Sequence, residues 1–216
     1  MELKPVPIES GAAALTQENT KIVFVGTHSG VKPDPRTGGF EKFTGKVDVD
    51  TNTKSLKSVS VDIETASVWT EIPNLTNHLK SADFFDVREH PQAAFQSTSI
   101  KADDATAGSV TITGNLTLHG ATKEISFPAK FSITDEGLTL TSKFSIDRTE
   151  FGMTFGADRV EKEVSLTVVI GEKTEATQGQ GFGPGRPGRG RGRKQCGPGG
   201  DSGQPPAAQP TDGQDK

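Results

Sequence analysis

The chain has 216 residues, enough for one full-sized domain and an extra segment, with a formal net charge of −4, 12 Phe, one Trp and no Tyr. The mild negative charge argues against a general affinity of the main domain for nucleic acid. The single cysteine, Cys196, excludes an internal disulfide framework and a cysteine-rich metal site.

In chain order, residues 1–20 are polar and mixed and are expected to be a flexible N-terminal segment. Met1–Ile8 shows neither a basic n-region nor an apolar stretch of signal-peptide length, so no secretory signal is visible: either the protein is cytoplasmic or the given chain lacks its original leader. Nowhere does the chain hold the roughly 18 consecutive apolar residues of a membrane span.

Residues 21–171 carry the strand patterning. Ile22, Phe24 and His28 share one parity; Val59, Val61 and Ile63 alternate with Ser60, Asp62 and Glu64. Val110, Ile112, Leu116 and Leu118 alternate with Thr111, Thr113, Asn115 and Thr117. Ile125, Phe127, Phe131 and Ile133 share a face, as do Leu138, Leu140, Phe144 and Ile146, and then Val164, Leu166, Val168 and Ile170. Period-two alternation of this kind predicts strands with one dry and one wet face.

The links between the runs are short. His119-Gly120 predicts a tight hairpin, Asp135-Glu136-Gly137 a three-residue loop, and Asp50–Thr53 another turn. Such links favour antiparallel neighbours. One stretch departs from the pattern: Leu75, His78, Leu79 and Ala82 are helically spaced, predicting a helical insertion over Asn74–His90 that Pro91 stops. About eight strands result, and a sheet with one dry face packs on another sheet or closes on itself. Pattern alone leaves sandwich and barrel open.

From Glu172 the chain is rich in Gly, Pro and Gln and nearly devoid of apolar residues. Such a segment buries too little surface to offset its ordering entropy, so 172–216 is expected to be disordered. Arg186, Arg189, Arg191, Arg193 and Lys194 interleave with Gly and Pro there, an arrangement that meets phosphates or anionic surfaces. With Phe182 as its one aromatic, this tail has little means of stacking bases, and the duller reading is a solubilising tail.

Several blocks carry a resemblance. Ile22–His28 on the first strand is followed by Gly39-Phe40 and Phe43-Thr44-Gly45. His78–Val87, His90-Pro91 and Phe95–Thr98 come next, then Gly114–Thr122 and Arg148-Thr149-Glu150-Phe151-Gly152-Met153. Together and in this order they resemble the YceI-like family of lipocalin-like polyisoprenoid-binding proteins, from about Lys21 to Ile170. The resemblance implies an eight-stranded antiparallel lipocalin-like β-barrel with a short helical segment. It implies a long-chain isoprenoid lipid inside, of quinone or polyprenyl phosphate type, held as carrier, storage protein or stress-related scavenger. It also implies a periplasmic or secreted location, with the cytoplasm as the alternative where no leader is visible. A homodimer is carried as an open assembly state.

The expected cavity lining is Phe24, Phe40, Phe43, Phe84, Phe85, Phe95, Phe144 and Phe151, with Ile22, Leu79, Leu116, Leu118 and Met153; core packing is the alternative for any one of them. His28 and His78 are expected at the mouth, with a plain structural hydrogen bond as the alternative. Arg148 is expected either to meet a phosphate head group or to pair with Asp147, Glu150 or a nearby carboxylate. The four histidines, His28, His78, His90 and His119, show no H-x-x-x-H or H-E-x-x-H spacing, so neither a metal nor a cofactor is expected. No nucleophile elbow, Walker loop or dinucleotide fingerprint occurs, and nothing in the sequence would orient His28 or His78 as a base, so an enzyme is not expected. Each buried methylene contributes roughly 0.8 kcal/mol, and ordering a flexible chain consumes much of that gain, so a smooth apolar tube would bind tightly with weak discrimination by tail length.

Overall fold

The computed structural model describes residues 3–29, 33–103 and 106–171. The tail with its Arg/Gly segment and Cys196 lies outside the described residues. In chain order the strands are β1 (Ile8–Glu9), β2 (Ala12–Leu15), β3 (Thr20–His28), β4 (Asp34–Phe40), β5 (Phe43–Asp50) and β6 (Ser55–Glu64). After a 3₁₀ turn, Thr65–Ser67, come β7 (Val68–Thr70) and the helix α1 (Pro73–Leu79). The rest is β8 (Gln92–Ala102), β9 (Ser109–Leu118), β10 (Ala121–Thr134), β11 (Gly137–Asp147), the 3₁₀ turn Arg148–Phe151 and β12 (Glu163–Ile170).

The strands form one antiparallel sheet in the order β1-β2-β5-β6-β8-β9-β10-β11-β12-β3-β4-β7. This sheet curls on itself as a half-barrel. The expected eight-stranded closed barrel is therefore corrected: there are twelve strands among the described residues, and β1 and β7 stand as unjoined ends. The extra strands are those whose residues mask the alternation. β4 reads Asp-Pro-Arg-Thr-Gly-Gly-Phe, which looks like turn chemistry, yet it pairs with β3 from Val23↔Gly39 to His28↔Asp34. Its glycines are needed for close approach, because a Cβ at Gly38 would lie 2.5 Å from the Phe24 ring and one at Gly39 2.6 Å from the Ile22 carbonyl oxygen. β1, β2 and β7 span only 2, 4 and 3 residues.

The N-terminal segment also differs from the flexible arm expected over 1–20. Leu3, Val6, Ala13 and Leu15 are buried. Val6 exchanges two backbone hydrogen bonds with Leu138, at 2.9 and 2.8 Å. The turns follow local chemistry. His119 and Gly120 adopt φ of 50° and 74°, the left-handed pair of a type I′ hairpin, as their dipeptide predicts. Asp50 caps its turn by accepting from the Asn52 and Thr53 amides. The 135–137 loop is one residue tighter than expected, because Thr134 and Gly137 already pair.

The helical insertion is shorter than expected. Pro73 opens α1 at a position where its missing N–H costs nothing. The helix ends at Leu79; the Ser81 hydroxyl then donates to the His78 carbonyl, and Asp86 takes a φ of 41°. Residues 80–90 are turns, folded over the curl of the sheet.

Candidate functional site

Inward-facing positions of the curled sheet do not fill it. A cavity of about 150 Å³ lies under α1 and the 80–90 turns. A second, of about 100 Å³, lies deeper between the strands. Both are apolar. Phe24, Phe40, Phe85, Ile63, Leu116 and Leu166 face inward yet are only half-buried, so the surface they keep is turned to this hollow.

The near cavity is walled by strands on one side and by α1 with its following turns on the other. Ile22, Phe24, Phe40, Leu116 and Leu118 supply strand wall; Leu79, Phe84 and Phe85 supply the cover, and Met153 closes the far side. Phe24, Phe40 and Phe85 form a ring triangle with centroids 5.5 to 6.3 Å apart, in tilted and edge-on contacts typical of aromatic pairs. Polar groups stand at one margin. His28 is exposed, and Arg36, hydrogen-bonded to Asp34, is partly so; Thr70 completes this rim. Gly26 also borders the cavity, and a Cβ there would meet nothing within 4 Å.

The deep cavity is walled by strands alone. Phe95, Phe127 and Phe144 form its aromatic group: Phe127 stacks on Phe144 at 4.2 Å and 10°, and tilts against Phe95 at 5.4 Å. Its two hydroxyl residues are already satisfied. Ser142 donates to the Pro128 carbonyl at 2.6 Å and Thr20 to Asn19 at 2.9 Å.

Three expected lining residues border neither cavity. Phe43 shares the inner face with Ile63, its cross-strand partner, but is itself buried. Phe151 is buried among Ala93, Leu118 and Met153. His78 is turned from the hollow, because adjacent helical residues point about 100° apart and Leu79 takes the inward direction. His78 instead meets the Asp83 carboxylate at 2.8 Å and lies between the Phe84 and Phe155 rings, 5.0 Å from each. Phe155 is 45% exposed.

Arg148 also differs from expectation. It is buried, and neither Asp147 nor Glu150 is its partner. Its Nε donates to the Glu161 carbonyl at 3.0 Å, Nη1 to that of Met153 at 2.5 Å and Nη2 to that of Val160 at 3.1 Å. Asp147 is engaged elsewhere, accepting from the Thr149 amide and hydroxyl. Burial pulls the Arg148 guanidinium below its usual range, with the Asp147 charge opposing. The side chain therefore clamps the 152–162 segment against the near cavity while still bordering it.

Sequence reasoning missed Ile63, Ile146 and Leu166 on the near wall and Ile112, Phe127 and Leu140 on the deep one. All lie on alternating runs, so their parity alone was a sufficient signal. Arg36 and Thr70 sit on β4 and β7, which gave no such signal. Among the described residues no three His, Cys, Asp or Glu side chains gather as a metal site, and no helix is long and apolar enough to cross a membrane.

Comparison with known proteins gives a consistent result. A family model described as a YceI-like domain matches residues 14–171. A UPF0312 protein of Pseudomonas putida is 42% identical over 96 residues, 44% of this chain and 48% of the relative. Protein YceI of Escherichia coli is 41% identical over 93 residues, 43% of this chain and 47% of the relative. These matches span about half the length of the relatives. Among solved structures, Burkholderia cenocepacia BcnA has a TM-score of 0.62 at 24% identity, covering 70% of this chain and 94% of that one. A polyisoprenoid binding domain from Saccharophagus degradans implicated in plant cell wall breakdown has a TM-score of 0.57 at 14% identity, covering 75% and 97%. At these identities the structural likeness establishes the fold.

Proposed function

This chain belongs to the YceI-like family, and on that premise we propose that the half-barrel binds a long-chain isoprenoid or similar amphiphilic lipid, as a carrier, store or scavenger. The observation that supports this most is the pair of apolar cavities inside the curl, bordered by aromatic and branched side chains that keep free surface inside the fold. A hollow without free polar groups does not hold water well; an apolar cavity of ~150 Å³ stays dry and admits a benzene-sized group. Apolar carbon is its natural occupant, at roughly 0.8 kcal/mol per methylene removed from water, less the cost of ordering a flexible chain.

The rim sets the orientation. His28 and Arg36 offer hydrogen-bonding groups at one margin of the near cavity, whereas the hydroxyls of Thr70 and of the deep cavity are spoken for. A polar head stays at the rim, because an unpaired polar group carried into the deep cavity costs a few kcal/mol. Ile22, Phe24, Phe40, Leu116 and Leu118 contact the tail, with Phe84 and Phe85 above it. Arg148 acts chiefly by holding the cover, which leaves a quinone or a phosphate as alternative heads for the rim.

The test is organic extraction of the purified full chain followed by mass spectrometry. A prenyl lipid near one per protein is the expected result; extracts of folded protein that hold no lipid would overturn the proposal. Gly26→Leu adds a side chain where the space is open, so recovered lipid should fall while the thermal midpoint holds.

A further inference from the structure

The two cavities are not halves of a smooth tube. Four residues border both: Ile22 of β3, Ile63 of β6, Leu116 of β9 and Leu166 of β12. In the sheet order they form two close groups, β6 and β9 on either side of β8 and β12 beside β3, with β10 and β11 between the groups, so the two groups face each other across the curl. The register staggers them by two residues within each group, with Ile22 opposite Val168 and Ile63 opposite Ala93. Leu166 lies opposite Phe24, which borders the near cavity, and opposite Phe144, which borders the deep one. Leu116 lies opposite Phe95 on the deep side. Each cavity has its own aromatic group, and the four aliphatic side chains stand between the two.

We propose that Ile22, Ile63, Leu116 and Leu166 form a collar that divides the lipid site in two and selects among apolar tails by length. The inference rests on the function proposed above. A short tail seats in the near cavity alone. A longer linear tail gains affinity only when it passes the collar and reaches Phe95, Phe127 and Phe144. The near cavity has the volume of a benzene-sized group, so the threshold falls within the first few isoprene units. Of the four, Ile63, Leu116 and Leu166 are half-buried, which leaves their tips room to part for a linear chain. Binding is therefore stepped in tail length, in contrast to the weak discrimination expected of a featureless tube.

The experiment compares geraniol with farnesol on delipidated full chain, by displacement of a fluorescent fatty probe. In the wild type, farnesol should bind at least about tenfold more tightly than geraniol, the increment of a tail that crosses the collar. Leu116→Trp, which grows into the space between the cavities, should lose the farnesol increment, so that the ratio of the two affinities falls towards one. Leu166→Phe obstructs the same collar from β12 and supplies the reading if the first variant does not fold. A collar variant that retains the full increment overturns the collar and leaves lipid binding intact. A folded collar variant that loses geraniol and farnesol equally also overturns it, because the two cavities would then be one site. Wild-type protein that takes up neither alcohol overturns the proposed function itself, and the collar with it.

Discussion

The two cavities differ in what holds their walls. The deep one is bounded by strands only, each fixed to its neighbours by ladder hydrogen bonds, and Phe127 is stacked flat on Phe144. The near one has strands on one side, but its cover is α1, the 80–90 turns and the 152–162 segment, held by side-chain contacts, by Arg148 and, at 159–162, by a few backbone bonds to Thr27, Ser29 and Arg148. Segments with few ladder bonds open at lower free energy than the sheet does. One hollow therefore combines a wall that sets shape with a cover that opens more readily. The exposed Phe155, packed on His78 and Phe84, belongs to that cover.

The largest expected effect tests the rigid side. Phe127→Ala removes the ring that joins Phe95 to Phe144 and enlarges a space that is already empty. Its cost should be about 3–5 kcal/mol of global stability, read from denaturant unfolding. A cost below about 1 kcal/mol would show that the deep wall is as adaptable as the cover.

Next in size is Arg148→Met. It leaves the carbonyls of Met153, Val160 and Glu161 without their donor. Loss of charged hydrogen bonds and unsatisfied acceptors should together cost about 3 kcal/mol. The distinguishing readout is where that cost appears. Hydrogen exchange should quicken across 152–162 while the β9–β10 and β10–β11 ladders keep their protection. Uniform loss of protection would mean that cover and wall are one cooperative unit, and the contrast drawn between them would fail.

The same contrast explains what was legible in the sequence. Strands of the deep wall announce themselves because a one-sided sheet must alternate, and Val110–Leu118 or Leu138–Ile146 alternate cleanly. Phe24 and Phe144 followed from that parity, and Phe95 from the Phe95–Thr98 block of the resemblance. β4 was hidden because its glycines admit Phe24 and Trp69 at close range, a tertiary demand that looks locally like a turn. β1 and β2 were hidden because Ala12–Leu15 is short and its partner β5 lies some thirty residues on. The cover was least legible. His78 and Leu79 are adjacent in sequence yet point to different sides of α1, and Arg148 finds carbonyl partners that no sequence pattern specifies. The division into two cavities depends on the side-chain tips at the collar, a length scale that periodicity does not encode.

The smallest expected effect lies where wall meets cover, at Asp147. Its carboxylate accepts from the Thr149 hydroxyl and amide at the start of the 3₁₀ turn that carries Arg148. Those two contacts, the hydroxyl first, hold its pKa below the usual carboxylate range. A carboxyl with a depressed folded pKa binds fewer protons folded than unfolded. Its contribution is thus fully present above the unfolded value near ~3.9 and lost as pH falls through the folded one. Asp48, lowered chiefly by the Ser58 hydroxyl, and Asp50, lowered chiefly by the Thr53 amide, behave alike at the β5–β6 end of the sheet. Asp147→Asn keeps an acceptor at the cap and removes the titration. At neutral pH its stability should match the wild type to within about 0.5 kcal/mol, because Asn caps nearly as well as Asp. Below about pH 4 its stability should fall less steeply than the wild type's, and the protection gained should concentrate in 148–162. An unchanged acid slope would place the acid sensitivity wholly in the sheet, with Asp48 and Asp50, and leave the cover indifferent to it.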